Sequence, residues 1–133
     1  ALPIFACCLY PTAPFVQAKD ILEGKALLEA DAYDVIMPIV RFDYPIWRSL
    51  KREATGKIEL NFPEYLNARS QDLPAAYHDA GQWYWFRVKA FERDGVLMGL
   101  NTGSLILPQS RVQDIDTEED WLMAELKHQK ALG

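Results

Sequence analysis

The chain has 133 residues, of which 50% are hydrophobic and 25% charged, with a formal net charge of −5 from 14 basic and 19 acidic side chains. This is the make-up of one ordinary globular domain. With no Lys/Arg run longer than Lys51-Arg52, it argues against a nucleic-acid partner, and no apolar run approaches the length of a membrane span.

Leu2 to Tyr10 is a near-continuous apolar run, the pattern of a strand buried on both faces of a parallel sheet. Such a strand belongs in mid-sheet, so neighbouring strands are expected on sequence outside the chain. Within it, Cys7 and Cys8 are sequence neighbours that point to opposite faces of a strand; they make a poor disulfide and fit a reducing, cytoplasmic compartment. Pro11-Thr12-Ala13-Pro14 must leave the strand. A loop at a strand end is where an α/β sheet holds ligands, with Tyr10 and Thr12 offering hydroxyls, although a plain turn accounts for it equally well. From Val16 to about Ala32 the spacing predicts an amphipathic helix. Ile21, Leu22, Leu27 and Leu28 face inward, Lys19, Asp20, Glu23, Lys25 and Glu29 face outward, and Gly24 weakens it. Asp34 to Val40 reads as a second apolar strand. Strand, helix and strand in this order predict an α/β fold with a right-handed βαβ unit, and Pro38 favours an edge or a bulge.

From Arg41 to about Tyr77 the character changes. Pro45, Pro63 and Pro74 punctuate a segment with a hairpin turn at Ala54-Thr55-Gly56-Lys57, an excursion from the α/β core. Its aromatics Phe42, Tyr44, Trp47, Phe62 and Tyr65 either form a partner surface or pack on the main domain. The polar stretch Arg69 to Gln82 then feeds an aromatic strand, Gln82 to Val88. In that stretch Arg69 and Gln71 are planar donors suited to a carboxylate or phosphate, and His78 is either a base or an ordinary surface group. Residues 89 to 103 read as loop, and Ser104 to Leu107 as a short strand stopped by Pro108.

The last stretch is Arg111-Val-Gln-Asp-Ile-Asp-Thr-Glu-Glu-Asp-Trp121. If residues 111 to 115 are extended, Val112, Asp114 and Asp116 share one side. Thr117-Glu118-Glu119-Asp120 then starts a helix in the manner of a capping box, running to about Ala131. Two readings of Asp114 and Asp116 stand at this point: a solvated acidic cap, or ligands for a hard cation such as Mg²⁺ that also takes phosphate oxygens. There is no internal repeat, Gly-rich phosphate loop, zinc-type Cys/His spacing or Ser-His-Asp constellation.

Three stretches taken together, Cys7-Cys8-Leu9-Tyr10-Pro-Thr-Ala-Pro-Phe15, Ala68 to Trp85 and Arg111 to Trp121, resemble the sugar-acid cytidylyltransferases, closest to the pseudaminic acid branch. The resemblance runs along nearly the whole chain. Members of the sister sialic acid (N-acylneuraminate) branch typically carry Gln where this chain has Tyr10 and Asn-Gly where it has Ala80-Gly81. The resemblance implies a Rossmann-like three-layer fold of the nucleotide-diphospho-sugar transferase type and a homodimer. It also implies a Mg²⁺-dependent reaction of CTP with a nonulosonic acid, giving a CMP-sugar and pyrophosphate for surface glycan synthesis. Carried over by position, Asp114 and Asp116 match the metal-binding, catalytic aspartates. Tyr10 and Thr12 match the loop lining the sugar and nucleotide pocket, and Arg69, Gln71 and Gln82 the substrate-side segment. Arg48 matches a basic residue more weakly. Residues 42 to 84 or so match a β-rich excursion that forms the dimer contact. The family's Gly- and Arg-rich CTP loop has no counterpart here. The expectation is therefore that residues 1 to 133 are the C-terminal part of a cytidylyltransferase domain, inactive by themselves. The alternatives are a sialic acid enzyme and a non-catalytic dimerisation or sugar-acid-binding module.

Overall fold

In chain order the elements are β1 (Phe5–Leu9), α1 (Ala18–Glu29), β2 (Val35–Arg41), β3 (Leu50–Arg52), β4 (Ile58–Leu60), β5 (Tyr77–Asp79), β6 (Trp83–Arg87), α2 (Val88–Asp94), β7 (Thr102–Leu107) and α3 (Glu118–Leu132). The computed structural model describes residues 3–30, 33–99 and 101–133. These form two compact units, one made of Ala1–Val40 with Asp79–Gly133 and the other of Arg41–His78.

The first unit is mixed α/β. Val35 to Pro38 of β2 are all buried, as a strand covered on both faces must be. On one side β2 pairs antiparallel with β6, through Val35↔Phe86 and Ile36↔Trp85; on the other it runs parallel to β7 from Val35↔Thr102 to Val40↔Leu107. β1 pairs antiparallel with β6 from Phe5↔Arg87 to Leu9↔Trp83. Two expectations are corrected here. β1 and β2 do run parallel, but β6 lies between them, so the βαβ unit is split by the aromatic strand. β1 is also not buried on both faces: its ladder is antiparallel, and Cys8 and Leu9 are exposed. Pro38 sits within a central strand rather than at an edge. The N–H and C=O of a strand residue point to the same side, and the Pro38 carbonyl accepts from Ala80 N–H at 3.1 Å. Its missing donor therefore falls on the β6 side, where that ladder has already ended at Ile36.

Helix α1 packs on β6 through Gly24 and Leu28, which with Asp20 are its buried residues. A Cβ at Gly24 would lie 2.4 Å from Cη2 and 2.6 Å from Cζ3 of the fully buried Trp83, so the helix approaches this closely only with glycine there. Leu22, expected inside, is exposed, and Asp20, expected outside, is buried, because Asp20 has a cationic partner in Arg111. Leu28, Ile36 and Trp83 centre one cluster; Val40, Ala80, Leu107 and Val112 form another.

Residues 89 to 103, expected as loop, begin with a helix. α2 follows β6 without a break and ends at Gly95, whose left-handed φ of 67° lets its N–H close on Phe91 O at 2.8 Å. β7 starts two residues earlier than expected.

In the second unit, β3 and β4 pair as a hairpin from Leu50↔Leu60 to Arg52↔Ile58, and Gly56 (φ 92°) takes the turn at the expected place. Trp47 meets Phe62 at 5.5 Å and Tyr65 at 5.8 Å between ring centroids, and its Nε1 donates to Pro74 O at 3.0 Å. These three aromatics thus pack on one another, whereas Phe42 and Tyr44 remain exposed. Among the described residues no helix is long and apolar enough to cross a membrane.

Candidate active site

The turn between β5 and β6 is built by Asp79. Its Oδ1 accepts the Gly81 N–H at 2.7 Å, an Asx-type turn that places Gly81 at φ +64°, where glycine carries no Cβ penalty. Its other oxygen accepts the Tyr84 hydroxyl. Burial, and after it the bond to Asp79, push that hydroxyl above the ordinary phenol range. Tyr84 Oη in turn lies 3.1 Å from Tyr10 Oη, with the two rings 5.6 Å apart. At the end of β1 the Tyr10 N–H donates to Gln82 O at 2.8 Å. Strand end and turn are therefore one piece.

Against this piece lies the segment with the aspartates. A Cβ built on Gly81 would meet Asp114 Cγ and Oδ1 at 3.8 Å and Tyr10 Cε2 at 3.9 Å. Tyr10 and Asp114, far apart in sequence, thus flank one glycine. The segment is not the extended run expected for residues 111 to 115. Gln109–Arg111 is a 3-10 turn, after which Val112 is extended (φ −131°, ψ 128°) and buried. The reason is anchoring: Arg111 pairs with Asp20, Gln82 Nε2 donates to Arg111 O at 2.7 Å, and Lys127 Nζ donates to Val112 O at 2.6 Å. Beyond it, Thr117 and Asp120 form the expected capping box. Asp120 Oδ2 accepts from both Asp116 N–H (3.1 Å) and Thr117 N–H (2.9 Å). Bonds from the Thr117 side chain, then from these backbone groups, hold the Asp120 carboxyl below its usual range.

The cap is thus made by Asp120, which leaves Asp114 and Asp116 exposed and in no ion pair among the described residues. Among those residues there is also no cluster of three or more His, Cys, Asp or Glu side chains. Two uncommitted carboxylates two residues apart are a hard oxygen donor set. They fit a cation such as Mg²⁺, which keeps waters and takes phosphate oxygens beside one or two carboxylates.

Thr12 is exposed in the turn after β1. Gln82 is 3% exposed; its amide nitrogen is committed to Arg111, and its Oε1 has no hydrogen-bond partner among the described residues. Arg48, Arg69 and Gln71 belong to the second unit. There Arg48 Nη1 lies 3.5 Å from Ser70 Oγ, on the 3-10 turn that follows Arg69 and contains Gln71. His78 in the same unit lies against Phe42, 4.7 Å between rings. Sequence reasoning missed Asp79, although Asp-x-Gly is the signature of its turn. It also missed Asp20 and Lys127, whose partners lie too far along the chain for any local signal.

No family model matches the chain. A pseudaminic acid cytidylyltransferase of Campylobacter jejuni subsp. jejuni (serotype O:2) is 32% identical over 121 residues, covering 90% of the chain and 52% of that relative. Over 90% of its length the chain is thus similar to a sugar-acid cytidylyltransferase. The same degree of identity, 32% over 111 residues, links it to a Helicobacter pylori protein named as a pseudaminic acid cytidylyltransferase and UDP-2,4-diacetamido-2,4,6-trideoxy-beta-L-altropyranose hydrolase, with 83% of the chain and 21% of that protein covered. N-acylneuraminate cytidylyltransferase A of Danio rerio is more distant, 25% identical over 120 residues, with 90% of the chain and 28% of that protein covered. The chain spans about half the length of the Campylobacter relative it matches.

Proposed function

We propose that the protein carrying this chain activates a nonulosonic acid of the pseudaminic acid type with CTP, releasing pyrophosphate and forming the CMP-sugar. The observation that supports this most is the kinship over 90% of the chain with an enzyme named for that reaction. In this reading the sugar's anomeric hydroxyl attacks the α-phosphorus, the bond to the β-phosphate oxygen breaks, and the hydroxyl proton is lost to solvent. Asp114 and Asp116 hold Mg²⁺, which when bound offsets charge on the phosphates. Tyr10, fixed through Tyr84 and Asp79, and Thr12 line the sugar and nucleotide pocket. Gln82 keeps the Tyr10 strand end and the Arg111 turn together. Arg48, Arg69 and Gln71 serve the anionic substrates.

The finer fold, a Rossmann-like three-layer transferase type, is part of the proposal. So are a homodimer made through the Arg41–His78 unit and a cytoplasmic location. The second reading is a sialic acid enzyme, which the Danio rerio relative favours. Product analysis by mass spectrometry after incubation with CTP, Mg²⁺ and each sugar acid separates them. CMP-pseudaminic acid is expected; product from sialic acid alone would assign the protein to the other branch, and none from either would leave a binding module.

A further inference from the structure

The stretch that carries Asp114 is held from three elements before any ligand arrives. From α1, the carboxylate of Asp20, 3% exposed, takes Arg111 Nη1. From the turn before β6, Gln82 Nε2 binds the Arg111 carbonyl at 2.7 Å. From α3, Lys127 Nζ donates to the Val112 carbonyl at 2.6 Å and to Gln113 Oε1 at 3.0 Å. For cohesion alone these are costly choices. An ion pair under a helix loses hydration on both partners, and a well-packed apolar pair often stabilises as much or more. What polar contacts add is direction. They fix the backbone two and three residues ahead of Asp114, and on the other side the Asp116 N–H is fixed by Asp120. Between these anchors the Asp114 carboxylate is left uncommitted next to Gly81 and Tyr10.

We propose that Asp20 and Lys127 are positioning residues for Asp114, presetting its carboxylate for a divalent cation. This rests on the reading of Asp114 as a metal ligand. Groups that orient a metal ligand without touching the metal typically carry 10–100-fold in metal affinity or activity. Preorganisation of this kind also spares the bound state the cost of ordering a loop.

The test uses the protein expressed from its full gene, with Mn²⁺ in place of Mg²⁺. Binding is then read by EPR of the free ion at fixed CTP against a nucleotide-only blank, without turnover. In Lys127→Met, which keeps the apolar stem, the Mn²⁺ Kd is expected to rise about tenfold while the KM for CTP moves by less than about twofold. Lys127→Arg restores most of the affinity, and Asp20→Asn behaves like Lys127→Met. Asp114→Asn is run beside them. If Asp114→Asn loses the ion and Lys127→Met binds it as tightly as the parent, positioning is refuted and the metal reading stands. If Asp114→Asn itself binds unchanged, both fall. Should Asp20→Asn fail to fold, Lys127→Met decides.

Discussion

Gly24→Ala tests the packing of α1 on the aromatic strand, and its sign is diagnostic. In a helix interior alanine is better than glycine by about 1 kcal/mol, so a Gly24 that were merely a weak helix residue would yield a more stable protein. The structure predicts the reverse. The new methyl would stand 2.4 Å and 2.6 Å from two ring carbons of Trp83 and 3.2 Å from Trp85 Cδ1, and Trp83 is 0% exposed with nowhere to turn. Forcing extra carbon into a filled core costs about 1–3 kcal/mol. Contacts this short against a rigid ring belong at the upper end, about 3 kcal/mol, which leaves a net loss of about 2 kcal/mol after the helix gain. At about 4 °C per kcal/mol for a domain of this size, the midpoint of thermal unfolding should fall by about 8 °C. Circular dichroism during heating reads it, and tryptophan fluorescence in urea gives an independent value. Combination with Trp83→Phe should be non-additive, since both changes act on one contact. A Gly24→Ala protein that melts higher than the parent would refute the account of how α1 reaches the sheet.

Thr117→Ala removes the side-chain acceptor of the α3 cap and should cost about 1 kcal/mol, read as a shift of the urea midpoint at constant slope. The Asp120 carboxyl, held low by the same box, should show an NMR titration midpoint below that of a free aspartate. Its stabilisation is present above the unfolded-state value near 4 and is lost as pH falls through the lower folded value, so Asp120→Asn should flatten the acid limb of stability. Tyr84 is shifted the other way. Its contribution is complete below the phenol's unfolded value near 10 and is lost as pH rises toward the folded one, so Tyr84→Phe should reduce the alkaline fall in stability. In a 295 nm titration the parent should show one tyrosine that does not ionise with the rest.

What the sequence revealed was local. The capping box was legible because Thr117 and Asp120 are three residues apart, and the hairpin because Thr55-Gly56 can hardly be anything but a turn. β2 and β6 were legible from their unbroken apolar and aromatic runs. What stayed hidden depends on partners distant in sequence. Asp20 sits on a helix where its spacing marks it as solvent-facing, and it is buried only because Arg111 arrives 91 residues later. The insertion of β6 between β1 and β2 is a choice among sheet orders that strand patterns alone do not make. α2 escaped notice because no turn residue separates Arg87 from Val88. At the candidate site, Asp114 and Tyr10 were each picked out by their stretch, whereas the glycine that both flank was evident only from the fold.

The most direct measurement is pyrophosphate release by the full gene product supplied with CTP, pseudaminic acid and Mg²⁺, run for the parent and for Asp114→Asn. The account predicts release by the parent that stops on chelation of the metal, and its loss in a variant that still melts as the parent does. Undiminished release by Asp114→Asn would contradict the placement of the metal on this segment, and no release by a folded parent would contradict the function itself.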